Sequence, residues 1–302
     1  MSWIDKLKFH HLKTLVALAE QHNLTRVAEL MNITQPALSK WLSGLEDEIG
    51  MPLFERHSKG IRPTPAGLLV VKHARRLVND MERSCRDIEL YKEGIQGSLI
   101  IGSSPVATDV VSTAVLNLLK DYPNVHVRII ENVMTPLLEQ LVSSHIDAVI
   151  GRVGGSALQL PLNYHVLYTE PICFVARPEH PLAGLREIDW QQLSDYHWIV
   201  WPTGTPIRTS IDNALVDLGM MMPVTHIESG SMSATVRMLQ DSDMVGILSQ
   251  RLAESYEREK QLSILALPKI EQKGSVGIFW RKNEMPSDVL EAFLGHLHEA
   301  AR

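Results

Sequence analysis

Cysteine is almost absent from this chain of 302 residues: only Cys85 and Cys173 occur, far apart. They supply neither a metal-ligand spacing nor a disulfide framework, which suits a reducing cytoplasm. Long apolar runs are missing too. No window reaches the roughly 18 consecutive apolar residues of a membrane-spanning helix, so no membrane partner is expected. The opening MSWIDKLKF is not an apolar signal segment. There is no G-x-S-x-G elbow, P-loop, G-x-G-x-x-G or H-E-x-x-H. The histidines are scattered without ligand spacing, so neither a metal nor a cofactor is expected. No internal repeat or low-complexity stretch occurs. These absences count against a disulfide scaffold, a membrane protein and the enzyme classes with familiar signatures.

What is present is an ordinary globular composition, 45% hydrophobic and 21% charged, long enough for two domains or more. The net charge of -6 argues against nucleic acid until its distribution is read. Residues 1–76 hold 11 Lys/Arg against 7 Asp/Glu, a net of +4; the remainder holds 18 against 28, a net of -10. A basic first quarter on an acidic body suggests one small module that meets phosphates.

That module has a pattern. Residues 9–22 carry a helical stripe through Phe9, Leu12, Leu15, Val16, Leu18 and Ala19. Asn23 can cap a second helix, and Asn32-Ile33 makes a turn. Thr34 can cap a third, with Pro36 tolerated in its first turn and Ala37, Leu38, Trp41, Leu42 and Leu45 facing the core. Gly50 stops it; Leu53-Phe54 and Ile61 bracket a hairpin with Ser58-Lys59-Gly60 at its tip, a wing. One of His10 and His11 should pack while the other is solvated. Thr64-Pro65 then opens a helix of about 28 residues, about 42 Å long. Its near-heptad apolar positions include Val70, Ala74, Leu77, Met81 and Ile88, which point to pairing with a second subunit. Cys85 on this helix, and Cys173 in an apolar strand, read as buried packing residues.

After Gly94 and Gly97 strands alternate with helices, which argues an α/β body with mostly parallel sheets. Expected strands are 98–102, 125–130, 146–150, 172–176, 198–201, 224–227, 244–248 and 276–281.

A helix-turn-helix with a wing reads base edges through the first half of its second motif helix, while its surroundings grip phosphates. That assigns DNA contacts to Thr25, Arg26, Thr34, Gln35, Pro36, Ser39, Lys40, Arg56 and Lys59. Gln35 has the geometry to pair with adenine N6/N7.

The order Leu12 to Ala19, Ala28 to Leu30, Ile33-Thr34-Gln35-Pro36-Ala37-Leu38-Ser39, Leu45-Glu46, Gly50, Leu53-Phe54-x-Arg56 and Thr64-x-Ala66-Gly67 resembles the DNA-binding end of LysR-type transcriptional regulators. Val27 departs from the alanine common there. The resemblance runs over the whole chain. It implies a multidomain protein: a mainly α winged helix-turn-helix at 1–64, a linker (dimerisation) helix at 65–94, and an α/β effector domain at 97–302. That domain would be two-lobed and similar to periplasmic binding proteins, with lobe I at 97–167 and 269–302 and lobe II at 168–268. It also implies double-stranded promoter DNA as a partner, a homodimer that pairs into a homotetramer, a small-molecule effector and, as a further candidate partner, RNA polymerase.

Ligands in such folds bind beyond the carboxyl ends of strands and at helix N-termini. The segments that fit contribute Ser103 and Ser104, Thr203 and Thr205, and Ser229 and Ser231, together with Arg152 after the strand at 146–150. Each residue has a plainer reading, as a cap or turn residue or, for Arg152 and Arg208, as half of a salt bridge. Gly151-Arg152-Val153 and the run Thr203 to Arg208 look like a subgroup responding to sugars and to aromatic acids such as protocatechuate, so a sugar or a small organic or aromatic acid is the expected effector. A rival class is a cytoplasmic small-molecule-binding protein or enzyme with a helical N-terminal appendage.

Overall fold

A computed structural model describes residues 3, 6–57, 60–217, 219–223, 226–267, 273–282 and 286–302. Ser58 and Lys59 of the expected wing tip, the start of the strand at 224–227 and the lobe boundary at 269 lie outside the described residues. Backbone packing divides the chain into two compact units, Met1–Glu93 with Ser143–His145, and Gly94–Val142 with Ile146–Arg302.

In the first unit three helices, α1 (Phe9–Gln21), α2 (Leu24–Leu30) and α3 (Gln35–Ile49), are set by local chemistry. The Asn23 side chain accepts from the Arg26 amide and Thr34 Oγ1 from the Ala37 amide, each satisfying an N–H with no helical partner. Gly50 ends α3 at φ 83°, a left-handed value that costs glycine little. Leu15, Leu18, Val27, Ala28, Leu38, Leu42 and Leu45 form one core with Leu53, Phe54 and Ile61 of the wing. His11 stacks on Trp41 at 4.8 Å between ring centroids, and burial pushes its pKa down, while His10 is exposed. Ala37, expected in the core, is exposed.

The wing strands β1 (Phe54–His57) and β2 (Gly60–Pro63) pair antiparallel, Phe54 against Pro63 and His57 against Gly60. The Ile61 amide donates to the carbonyl of His22 at 2.9 Å. A Cβ on Gly60 would lie 2.1 Å from that oxygen, so only glycine lets the wing approach α1. Thr64 Oγ1 donates to the Pro52 carbonyl at 2.8 Å and accepts from the Gly67 amide at 3.0 Å, which starts α4 (Pro65–Lys92) against the wing.

The second unit runs β3 (Gly97–Ser103), a 3-10 turn Pro105–Ala107, α5 (Thr108–Asp121), β4 (Val125–Glu131), α6 (Met134–Val142), β5 (Ala148–Arg152), α7 (Gly155–Leu158) and β6 (Leu162–Ala176). Then follow α8 (Trp190–Leu193), β7 (Trp198–Val200), α9 (Pro206–Asp217), β8 (His226–Glu228), α10 (Met232–Gln240), β9 (Val245–Ser249), α11 (Gln250–Arg258), β10 (Ser263–Ile264), β11 (Lys273–Arg281) and α12 (Asp288–Ala300).

The strand order is β4-β3-β5-β11-β6-β9-β7-β8, with β10 on β6. The expectation of mostly parallel pairing is corrected. β3 is parallel to β4 and β5, and β7 to β8 and β9, but β11 and β6 run antiparallel to every strand they meet. The reason is topological: β6 leaves the first lobe for the second and β11 returns, so both oppose the strands built by helical crossovers. The 15-residue β6 is three times the strand expected at 172–176, because its first half pairs with β11, about 110 residues away. Alternation on β11 buries Ile278 with Leu99, Ile101, Leu118 and Phe293 on one face and Phe279 with Leu137, Leu141 and Val149 on the other. Burying each such side chain stabilises by about 1.5–3 kcal/mol, which secures this late strand to the first lobe. Among the described residues, no helix is long and apolar enough to cross a membrane.

Candidate functional site

In the first unit the outward side of α3 carries Pro36, Ala37 and Lys40 exposed and Gln35 half-buried. Thr25 and Arg26 are exposed at the start of α2. Arg56, from β1, donates through Nη2 to Ser39 Oγ at 2.5 Å, so wing and helix share one basic face. Lys59 lies outside the described residues. A residue that entered the sequence reading only through the family resemblance organises this face: Glu46 Oε1 accepts from the amides of Leu53 and Phe54 at 2.7 and 2.9 Å, tying α3 to the wing's first strand.

On α4 the proposed pairing positions divide. Leu77, Met81 and Ile88 are exposed, as are Leu68, Leu69 and Tyr91. Ala74 is 2% exposed within its own chain's core and Val70 packs against that core, so the pairing assignment is corrected for Ala74 and weakened for Val70. The cause is that the first turns of α4 lie against α1, where the same heptad stripe serves intramolecular packing. Cys85, expected buried, is exposed. Cys173 is half-buried on β6, where burial raises its pKa to about 11 and makes it a poor nucleophile.

The second unit has a partly open cavity of about 40 Å³ where its two lobes meet. Ser104 and Pro105 reach it from the end of β3, Arg152 from the end of β5, Trp201, Thr205, Pro206 and Ile207 from the β7–α9 connection, and Ser249 and Leu252 from the β9–α11 junction. Val106, Val133 and Met134 complete the lining. The strand ends converge because each lobe's parallel strands finish at the hinge, the position expected for ligands in open α/β sheets.

Arg152 is 5% exposed, and none of Nε, Nη1 and Nη2 has a hydrogen-bond partner among the described residues. Burial lowers its pKa, with Glu170 and Tyr168 pulling the other way; a guanidinium stays charged regardless. The hydroxyls of Ser104 and Ser249 are buried without a hydrogen-bond partner as well. Glu170, buried on β6, accepts from the Arg251 amide at 2.9 Å through Oε2, while Oε1 has no partner. Burial raises its pKa, against the pull of that amide and of Arg152. The Ser249 hydroxyl lies close enough to help hold the Glu170 charge, without a hydrogen bond of regular geometry.

Of the residues proposed from the sequence, Ser104, Arg152 and Thr205 line this cavity. Ser103 is buried one residue away and donates to the Ser104 carbonyl at 3.2 Å. Thr205 Oγ1 donates to the Pro202 carbonyl at 2.8 Å, closing the turn before α9. Three placements are corrected. Thr203 Oγ1 donates to Glu228 at 2.8 Å, Ser231 caps α10 by accepting from the Ala234 amide, and Ser229 donates to the Ser231 carbonyl at 3.1 Å. None of the three lines the cavity: the Thr203 hydroxyl is on the Glu228 carboxylate, and those of Ser229 and Ser231 serve the turn and cap before α10. Arg208 pairs with Asp212 and Glu228, both at 2.8 Å. Sequence reasoning missed Ser249, although it follows an apolar strand and precedes a helix as the chosen segments do. It also missed Trp201 as a wall and Glu170, for which nothing local signalled burial.

Residues 9–68 match the bacterial regulatory helix-turn-helix protein, lysR family, and residues 92–302 match the LysR substrate binding domain. The chain is 30% identical over 298 residues to the HTH-type transcriptional regulator GbpR of Azospirillum brasilense, covering 98% of this chain and 87% of that one. It is 27% identical to the HTH-type transcriptional regulator PcaQ of Agrobacterium fabrum, covering 98% and 96% of the two chains. Full-length CbnR complexed with its target DNA superposes with a TM-score of 0.68 at 17% identity, over 97% of this chain and all of that one.

Proposed function

This chain belongs to the LysR-type transcriptional regulators, which are not enzymes, and from that premise we propose how it reads DNA and where its effector sits. Gln35, Ser39 and Lys40 address base edges, and Thr25, Arg26, Thr34, Pro36, Arg56 and Lys59 fix register on phosphates and sugar. The exposed Leu77, Met81 and Ile88 face a second subunit along α4, and dimers pair into a tetramer in the cytoplasm. The effector, a sugar or a small organic or aromatic acid, occupies the cavity between the lobes of the second unit. It acts by binding one arrangement of the assembly more tightly than another. RNA polymerase is a further partner within this reading.

The observation that carries it is a division of labour. One unit presents an exposed basic face on a helix and wing, and the other holds buried, unpartnered polar groups around a cavity. Footprinting on intergenic DNA beside the gene tests the first half; protection of a pseudo-palindromic site is expected, with half-sites one helical turn apart. Absence of protection at any site, with small-molecule binding retained, refutes it.

A further inference from the structure

We propose that the cavity recognises its effector through a single carboxylate seated on Arg152 and flanked by the hydroxyls of Ser104 and Ser249, with Gly274 giving Arg152 its pose. The inference rests on the effector reading above and narrows it from sugar or acid to a monocarboxylate with an apolar body.

The molecule contains its own control. Two arginines of this unit are buried, Arg152 at 5% and Arg208 at 8% exposure. Arg208 meets the usual condition for burial, since Asp212 and Glu228 take its Nε and Nη1. Arg152 does not: its three nitrogens, carrying five N–H donors, have no partner among the described residues. Glu170 acts on it through space without accepting a hydrogen bond, so the donors of the fork stay unmet in the interior, and a ligand that brings its own carboxylate satisfies them. The planar fork of a guanidinium matches the two oxygens of a carboxylate. A carboxylate has lone pairs to spare for two more donors, which Ser104 at the end of β3 and Ser249 at the end of β9 supply, one in each lobe, the Ser249 hydroxyl turning from Glu170 to the ligand. An acid held this way bridges the lobes.

The rest of the lining sets the class. Val133, Met134, Trp201, Ile207 and Leu252 are apolar, and among the described residues no second Lys or Arg lines the cavity. A second acidic group would be buried without a counter-charge, and a sugar ring would leave most of its hydroxyls against hydrocarbon. Gly274 explains how Arg152 holds its position. A Cβ there would lie 1.4 Å from Arg152 Nη1 and 2.7 Å from Cζ, so the guanidinium rests where any other residue would place its first carbon. What a methyl group would displace is the end of a flexible side chain, so Gly274→Ala should fold and yet misplace the fork.

The test uses the full chain in calorimetric titrations and melting curves. The probes are benzoate and butyrate, the matched neutral compounds benzamide and benzyl alcohol, inorganic phosphate, and galactose. The expected result is binding of at least one monocarboxylate, its neutral counterpart binding at least tenfold more weakly. Arg152→Lys, which keeps the charge and loses the fork, should weaken the acid at least tenfold. Gly274→Ala should do the same, with its unliganded melting temperature confirming that it folds. Neutral compounds, phosphate or galactose binding as tightly as the acids, or acid binding unchanged in Arg152→Lys, overturns the carboxylate while leaving the effector cavity standing. No binding by any probe overturns both.

Discussion

Removing the Glu46 carboxylate should loosen the reading face from behind, without touching a residue that meets DNA. One oxygen of Glu46 accepts from two backbone amides, those of Leu53 and Phe54, whose side chains are both buried. Each such bond to a charged acceptor is worth about 1.5–3 kcal/mol, and sharing one oxygen makes the pair worth less than their sum. Alanine is the better helix former by a few tenths of a kcal/mol, which offsets little. The expected cost of Glu46→Ala is therefore about 3 kcal/mol, and of Glu46→Gln, which keeps a neutral acceptor, about 1–1.5 kcal/mol. Hydrogen exchange followed by mass spectrometry reads this directly. Peptides spanning 46–67 should exchange about a hundredfold faster in the alanine variant, as 1.4 kcal/mol corresponds to a factor of ten. Operator affinity should fall with it, because β1 carries Arg56 onto Ser39. Glu48→Ala, which removes only the exposed pair with Lys6, serves as the control and should leave exchange nearly unchanged. Equal exchange in Glu46→Ala and Glu46→Gln, or none faster than wild type, would refute the buttress.

Three further outcomes are expected. Gly67→Ala would place a Cβ 1.8 Å from the Leu53 carbonyl, so it should lower the melting temperature of the first unit far more than Gly44→Ala, which meets nothing within 4 Å; parity between the two would contradict the packing. Arg56→Ala should weaken binding to all sequences alike and reduce the salt slope of log affinity by about 0.9, the value of one phosphate contact; an unchanged slope removes Arg56 from the backbone contacts. The pKa of buried Glu170 is raised, so the folded state holds its proton more firmly than the unfolded chain does. The stabilisation this gives is present in acid and is lost as pH rises through the raised pKa. An anion on Arg152 raises that pKa further, so acid binding should take up a proton and tighten as pH falls, seen as a heat that depends on the buffer. Glu170→Gln should abolish the dependence.

The parts of this protein legible in its sequence are those decided within a few residues. Asn23, Thr34 and Thr64 cap the helices they precede, because the bond each makes closes within three residues. The 28 residues of α4 follow from Thr64-Pro65 at one end and the glycines at the other. Whole-chain order was legible through the resemblance, which family membership then established. Side-chain destinations were not. Thr203, Ser229 and Ser104 look alike in sequence, yet Thr203 donates to Glu228 on β8, Ser229 donates within its own turn, and of the three only Ser104 lines the cavity. Ala74 and Leu77 lie on one heptad stripe, and packing against α1 buries only the former.

Sequence by itself determined a winged helix-turn-helix, a long helix and an α/β body in that order, because caps, turns and periodicity act over short spans of chain. Tertiary structure alone decided what Arg152 faces. Its surroundings come from β6, β11 and the β9–α11 junction, about 20 to 120 residues further along the chain. Whether a buried charge is paired depends on distances through space that no local pattern encodes. Arg208 donates to two carboxylates and Arg152, among the described residues, to none, a difference made by the fold.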